Sequence, residues 1–212
     1  MNDRQQKPSP YRWVKRFVDL VAALVLLVVS SPFLLVIVVA LIVAQRSNPF
    51  FVQERVGRGE KVFRVVKLRT MDNRRDDHGN LLKDAERLTP VGRFVRKTSL
   101  DELPQLFNIV KGEMSFIGPR PLLVRYMPFY REEEKVRHTV RPGITGLAQT
   151  NGRNDLGWDA RLGYDVEYVR NFSAAQDARI LLATVATVAT GSGVKVDVLS
   201  GELRDLDVER AA

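Results

Sequence analysis

The sequence predicts an α+β fold that is predominantly helical, in which an N-terminal membrane helix hairpin carries a small head containing a β-hairpin. Three observations predict it. An apolar run from Leu20 to Ala44 exceeds the roughly 20 residues that span a bilayer. Two β-favouring runs then flank a glycine-containing turn. Several segments after residue 88 carry helix start and stop signals.

Composition restricts the chemistry of any site. The 212 residues contain no cysteine and two histidines, His78 and His138. The absence of cysteine excludes a thiolate metal site and a cysteine nucleophile. Two histidines are too few for a histidine-rich metal cluster. The formal charge of +8 suits nucleic acid, an anionic membrane surface or phosphorylated small molecules. A site here must draw on carboxylates, lysines and arginines.

The apolar run is broken by Ser30, Ser31 and Pro32. Since each half is too short to cross a bilayer and no cleavage site follows, we favour a re-entrant hairpin over a signal peptide, with a kinked span as the alternative. The serine hydroxyls could satisfy carbonyls that Pro32 leaves free. Tyr11 and Trp13 are expected at headgroup level. Basic residues on both flanks favour a cytoplasmic location for both ends: Arg4, Lys7, Arg12, Lys15 and Arg16 before the run, and Arg46, Arg55, Arg58 and Lys61 after it.

The runs Phe50–Gln53 and Val62–Val66 predict a β-hairpin around the turn at 56–59. Gly57-x-Gly59 is not a phosphate-binding loop, because no G-x-x-x-x-G-K-[ST] pattern is present. Lys67 and Arg69 lie on the same face if the second strand continues. A solvated basic strand face, or a face that rests on anionic lipid, would also account for these residues.

Two adjacent carboxylates, Asp101 and Glu102, stand where a helix is predicted to start. Either Ser99 and Glu102 form a capping box, or Asp101 caps the helix with Pro104 in its first turn, which we favour. In both versions the helix dipole favours the ionised carboxylates, and Gly112 ends the helix. An earlier helix is predicted to start with Thr89 as its N-cap and to bring Arg96 to the edge of this pair.

Towards the carboxyl end, a helix is predicted with Trp158, Leu162, Val166 and Val169 on one face. Ser173 is predicted to cap a further helix, whose apolar part is too short to span a membrane and is therefore core or interfacial. In the loop around residue 141, Arg141 could reach a nucleotide or could bind solvent or a carboxylate.

Several longer sequence motifs of this chain are specific enough to indicate a protein family. The sequence resembles the bacterial sugar transferase family, the polyprenyl-phosphate hexose-1-phosphate transferases, and more narrowly the small monotopic phosphoglycosyl transferases. The resemblance runs from about Tyr11 to Phe172 and is carried by KRFVD (15–19), SSP (30–32), FVQERVG (51–57), KLRTM (67–71), LTPVGRFVRKTSLDELPQLFNIVKGEMSFIGPRPLL (88–123) and RPGITGLAQ (141–149).

The resemblance implies a monotopic fold, with interfacial amphipathic helices holding the head on the cytoplasmic face of the bacterial inner membrane. It implies transfer of a sugar 1-phosphate from a UDP-sugar to undecaprenyl phosphate with release of UMP. In this reading Asp101 is the nucleophile and a ligand of the required Mg²⁺, and Glu102 is its acid/base partner. The residues that match basic positions around the site are Lys67, Arg69, Arg96 and Arg120, and the pair that matches the membrane helix break is Ser31 and Pro32.

We divide the chain into a membrane anchor (1–45), a catalytic sugar transferase domain (46–190) and a C-terminal tail (191–212). The alternatives from other classes are a membrane-tethered nucleic-acid-binding module, which lacks interleaved aromatics, and a membrane scaffold with a degenerate site. We expect no nucleic acid partner, while a homodimer stays open. The sequence does not identify the sugar or the glycan pathway.

Overall fold

A computed structural model describes residues 10–152, 156–190 and 205–211. One long N-terminal helix is followed by a head built from short helices and two small sheets. The elements are α1 (Pro10–Gln45), β1 (Phe50–Val56), β2 (Val62–Leu68), α2 (Asp84–Arg87), α3 (Pro90–Lys97), α4 (Gln105–Lys111), β3 (Ser115–Ile117), β4 (Gly143–Thr145), α5 (Leu147–Thr150), α6 (Trp158–Arg170), α7 (Ala174–Thr190) and α8 (Leu206–Arg210).

The predicted break in the apolar run does not interrupt α1, which continues through Pro32. Proline at this position leaves the Val28 carbonyl without its usual amide donor. The Ser31 hydroxyl donates to that carbonyl at 2.8 Å, which explains how the helix passes the proline. By length and composition α1 could cross a membrane, and most of its apolar side chains are exposed.

Both ends of α1 are tied to the head. Near its start, Lys15 Nζ lies 2.6 Å from Asp177 Oδ2 of α7. Arg16 donates to the carbonyls of Ile109 and Val110 in α4. At its end, Gln45 Nε2 donates to the Arg69 carbonyl at 2.7 Å.

The two α1 aromatics have different surroundings, and their expected position at headgroup level stays a prediction. Trp13 is 76% exposed. Tyr11 instead packs against Phe172 and donates its hydroxyl hydrogen bond to Asp177, because it lies on the face of α1 that meets α7.

The predicted β-hairpin is confirmed. β1 and β2 pair antiparallel, with Phe51 opposite Lys67, and a 3₁₀ turn at Arg58–Glu60 joins them. Asn108 of α4 fixes the hairpin against the helix, because its Nδ2 donates to the Arg64 carbonyl at 2.7 Å and its Oδ1 accepts from the Val66 amide at 3.4 Å. This contact sets where Lys67 lies relative to the residues before α4.

The predicted start of α3 is also confirmed. Thr89 is its N-cap and accepts from the Gly92 amide at 3.0 Å, with Pro90 as the first helical residue. Gly92 packs directly on the chain after β2, where a Cβ would lie 1.9 Å from the Thr70 carbonyl oxygen. The close approach brings the last turn of α3, with Arg96, towards the site.

The remaining elements complete the head. β3 and β4 form a two-stranded parallel sheet. The four predicted core residues of α6 are all buried. Ser173 Oγ accepts from the Gln176 amide at the start of α7, as predicted.

Part of the predicted C-terminal tail packs on the head. Leu206 of α8 is fully buried, and Arg210 pairs with Glu134 at 2.7 Å. The rest of the segment 191–212 lies outside the described residues.

Gly92→Ala is expected to lower the free energy of unfolding by about 1–3 kcal/mol, because the added methyl must displace α3 from the Thr70 backbone. Gly163→Ala in α6 is the matched control. Nothing lies within 4 Å of its Cβ, so the better helix propensity should raise stability by roughly 1 kcal/mol. Urea unfolding of the detergent-solubilised variants measures both. Equal effects would contradict the close approach at Gly92.

Candidate active site

Asp101 and Glu102 lie in a 3₁₀ turn, Leu100–Glu102, between α3 and α4. Both predicted capping arrangements are wrong. Ser99 makes no side-chain cap and has a left-handed backbone (φ 57°), and α4 begins only at Gln105, with Pro104 as its N-cap. The left-handed residue Ser99 and the 3₁₀ turn separate α3 from α4, and this turn carries the two carboxylates.

Glu102 is held by two cations. Its Oε1 accepts from Lys67 Nζ and from Arg120 Nη2, each at 2.7 Å. Although burial raises the pKa of Glu102, Arg120 and Lys67 outweigh it and bring this pKa to about 2. The carboxylate is therefore ionised at any physiological pH.

Asp101 has the opposite environment. Burial, and then repulsion by Glu102, raises the pKa of Asp101 to about 6, against the attraction of Lys67, Arg96 and Arg120. The predicted helix-dipole effect does not lower the pKa of Asp101, because burial dominates. No hydrogen bond or ion pair holds its carboxylate among the described residues. At pH 7 Asp101 is still mostly ionised, with its oxygens open to a ligand.

Arg120 is positioned by its main chain as well as by Glu102. The segment around it runs beside β4, with the Gly118 amide donating to the Thr145 carbonyl at 2.9 Å. Arg137 Nη2 donates to the Arg120 carbonyl at 2.6 Å and to Asp165 Oδ2 at 2.8 Å. Sequence reasoning missed this buried Arg137–Asp165 pair, since two ordinary charged residues 28 positions apart carry no local signal.

Two more guanidinium groups lie close to Arg120. Burial and then the charge of Arg120 lower the pKa of Arg55 to about 10 and also lower the pKa of Arg161. Arg161 stacks on Trp158, with 4.6 Å from its Cζ to the ring centroid. The region beside Glu102 therefore holds an excess of positive charge.

The structure does not bring all of the other predicted basic residues to the acidic pair. Arg96 lies near enough to Asp101 to lower its pKa, while Arg69 follows β2 directly and has no side-chain partner among the described residues. Arg141 is not brought to the carboxylates. Its Nε donates to the Gly112 carbonyl, at the opposite end of α4. His138 is buried beside Tyr130, with its Nδ1 3.8 Å from Glu60 Oε1.

The described residues alone do not form a complete site for a divalent cation. The described residues contain no group of three or more histidines and acidic residues suited to a metal. Asp101, and Glu102 Oε2, which has no hydrogen-bond partner in the described part of the chain, offer hard oxygen donors. One or two carboxylates completed by substrate phosphates and water is the arrangement that Mg²⁺ favours.

Comparison with known proteins identifies the family. The family model for bacterial sugar transferases matches residues 10–191. An uncharacterized sugar transferase, EpsL, of Bacillus subtilis is 47% identical over 182 residues, covering 86% of this chain and 90% of the relative. The chain belongs to the bacterial sugar transferase family.

Two relatives have named activities. The UDP-N-acetylgalactosamine-undecaprenyl-phosphate N-acetylgalactosaminephosphotransferase of Aeromonas hydrophila is 39% identical, over 89% of this chain and 47% of the relative. The undecaprenyl-phosphate galactose phosphotransferase of Salmonella typhimurium is 38% identical, over 86% of this chain and 42% of the relative. The chain thus spans less than half the length of these two transferases.

The pKa of Asp101 is raised and that of Glu102 is lowered, so replacing each by its amide should change stability in opposite directions when EDTA keeps metal ions away. The raised pKa of Asp101 means that wild-type stability falls as pH rises from about 4 through 6, so Asp101→Asn should be more stable than wild type at pH 7.5 by about 1–3 kcal/mol. The difference should vanish near pH 4. Thermal unfolding as a function of pH measures it.

Glu102→Gln is the matched comparison. Since the pKa of Glu102 is lowered, its contribution is present above about pH 4.5 and lost as pH falls through 2. Glu102→Gln should therefore destabilise the protein at pH 7.5. A destabilising Asp101→Asn, or a stabilising Glu102→Gln, would contradict the electrostatic assignment of the pair.

Proposed function

We propose that this bacterial sugar transferase moves a sugar 1-phosphate from a UDP-sugar to undecaprenyl phosphate and releases UMP. The reaction would begin glycoconjugate assembly on the membrane. The observation that carries the proposal is the asymmetry of the acidic pair: Glu102 is neutralised by Lys67 and Arg120, whereas Asp101 is ionised near neutral pH and has no partner among the described residues. The named activities of the Aeromonas and Salmonella relatives support the substrates.

In the first step an Asp101 carboxylate oxygen attacks the phosphorus that bears the sugar. A bond forms between the aspartate oxygen and this phosphorus, and its bond to the bridging oxygen of the diphosphate breaks. UMP leaves with that oxygen, and a phosphosugar-aspartate remains. In the second step an oxygen of the lipid phosphate attacks the same phosphorus, and the carboxylate is restored.

The cations stabilise charge on the transferring phosphoryl group. Arg120 and Lys67 are already oriented by Glu102, so they need little reorganisation when the substrate binds. Arg96 lies on the Asp101 side, and Arg69 is available at the end of β2. Arg55 and Arg161 add positive charge beside Arg120, which an incoming diphosphate would relieve.

Mg²⁺ fits this donor set. Asp101, with Glu102 Oε2 beside it, would hold the ion together with the diphosphate oxygens. The ion would neutralise phosphate charge that two carboxylates would otherwise repel.

Glu102 acts mainly as an orienting anion. Its pKa of about 2 leaves it without a proton to donate at neutral pH. Glu102 therefore orients the cations and contributes to metal binding. It does not work as a general acid, which is one part of the acid/base role that the resemblance implies.

A re-entrant α1 on the cytoplasmic face is the proposed topology. A straight helix of 36 residues would be about 54 Å long, enough to cross a hydrocarbon core of about 30 Å. A crossing would separate the two ends, yet Arg16 and Gln45 both bond to the same polar head. Because that head stays on one side of a bilayer, these contacts support a helix that dips into the membrane and returns, with the bend at Ser31 and Pro32.

Asp101→Asn is expected to lower turnover at least about 10³-fold, because the amide is a poor nucleophile. With a UDP-sugar labelled on the sugar-side phosphate, Mg²⁺ and no acceptor, the wild-type protein should release UMP and retain label that hydroxylamine removes. Asp84→Asn is the matched control, an exposed aspartate in α2 that should behave as wild type. Normal turnover, or label retained by Asp101→Asn, would refute the covalent role.

The topology is tested with single cysteines, since the chain has none of its own. Arg4→Cys precedes α1, and Arg64→Cys lies on the exposed face of β2. In intact cells a membrane-impermeant thiol reagent should label neither, and after permeabilisation it should label both, because both flanks lie in the cytoplasm. Labelling of one of the two in intact cells would establish a crossing helix instead.

A further inference from the structure

A second concentration of positive charge lies at the carboxyl end of α4, away from Asp101. A shallow cavity, open to solvent, is found between the first turns of α1, the β1–β2 turn and the chain before β4. We call it the basic cavity. The charged side chains that line it are Arg12, Lys15, Arg16, Asp19, Arg58 and Arg141.

The basic cavity lies apart from the proposed substrate site at Asp101. α4 has seven residues and so separates the two regions by roughly 10 Å or more. A phosphate held beside Arg141 would be too far from Asp101 to react. The basic cavity is therefore not a subsite for the transferring group.

The cavity contains more positive charge than its carboxylates balance. Lys15 is paired with Asp177, and Asp19 is the one carboxylate on the lining. Arg16 and Arg141 donate to main-chain carbonyls at the end of α4, which are neutral acceptors. Arg58 has no hydrogen-bond or ion-pair partner among the described residues.

These cations repel one another. Burial, followed by the charge of Arg58, lowers the pKa of Arg12, and burial with Arg16 and Arg58 lowers that of Arg141. Guanidinium groups keep their proton at neutral pH, so the repulsion cannot be relieved by deprotonation. A bound anion would relieve it.

The position of the cavity along α1 indicates which anion. Arg12, Lys15 and Arg16 occupy the turns just before the apolar run, and no charged residue occurs between Asp19 and Arg46. The neighbouring Trp13 and Phe17 are largely exposed, as expected of side chains at a membrane interface. If α1 enters the bilayer at this level, the mouth of the cavity lies among the lipid headgroups.

We infer that the basic cavity binds the phosphate of an anionic phospholipid, of the phosphatidylglycerol type, from the leaflet that α1 enters. The lipid would bridge α1, the turn at Arg58 and the segment at Arg141, and so fix the anchor against the head. This inference rests on the proposed membrane insertion of α1 and is independent of the chemistry at Asp101.

The test uses the full chain in a neutral detergent, freed of native lipid. Micellar phosphatidylglycerol should raise its melting temperature by roughly 3–6 °C at ten times the dissociation constant. Phosphatidylcholine, whose headgroup is neutral overall, and inorganic phosphate, which lacks acyl chains, should give much smaller rises.

Two single-charge variants distinguish the cavity from diffuse attraction. Arg58→Gln should weaken the apparent affinity for phosphatidylglycerol about fivefold, because it removes one cation that would pair directly with the lipid phosphate. It does not disturb the arginines that bond to α4. Lys61→Gln removes the same charge three residues away in an exposed position outside the lining, and should bind as wild type.

Equal losses in both variants would show diffuse adsorption and overturn the cavity. An equal rise with inorganic phosphate would overturn the lipid as ligand. A rise common to both phospholipids, without an increment for phosphatidylglycerol, would overturn the inference while leaving membrane insertion and the transferase proposal intact. Labelling of Asp101 tests the latter separately.

Discussion

The site depends on one shared carboxylate. Glu102 Oε1 holds Lys67 from β2 and Arg120 from the segment after β3, and it lies in the turn before α4. Three parts of the chain are thus brought together by one anion. Burying that carboxylate is unfavourable, and the two cations outweigh the cost. Because they are committed to Glu102, its neighbour Asp101 keeps an open carboxylate whose pKa is raised by burial.

The helix α4 connects this site with the apolar helix α1. Its amino end follows the acidic turn, Asn108 fixes the hairpin that carries Lys67, and its carboxyl end, closed by Gly112 (φ 83°), accepts bonds from Arg16 of α1. The head and the apolar helix are therefore one packed unit near α4, with Ala23 of α1 buried in the same cluster as Leu106 and Ile109. Such packing fixes the position of the proposed site relative to the apolar helix α1.

Local elements were predictable where a short stretch supplies its own reason. The Thr89 cap, the hairpin and the end of α4 at Gly112 follow from turn and capping chemistry within a few residues. The caps proposed for Asp101 and Ser99 were wrong, because a left-handed residue and a 3₁₀ turn separate α3 from α4. The contact of Tyr11 with Asp177 was not predictable either, because the two residues are 166 positions apart.

The sequence by itself determined the family, the long apolar run and the acidic pair, since each is written in contiguous residues. Only the tertiary structure decided how the charges are shared. It assigned Glu102 to the cations and left Asp101 open, sent Arg141 to the far end of α4, and added the Arg137–Asp165 support. Burial and the proximity of distant charges set a pKa or an ion pair, and neither is encoded in the spacing of residues along the chain.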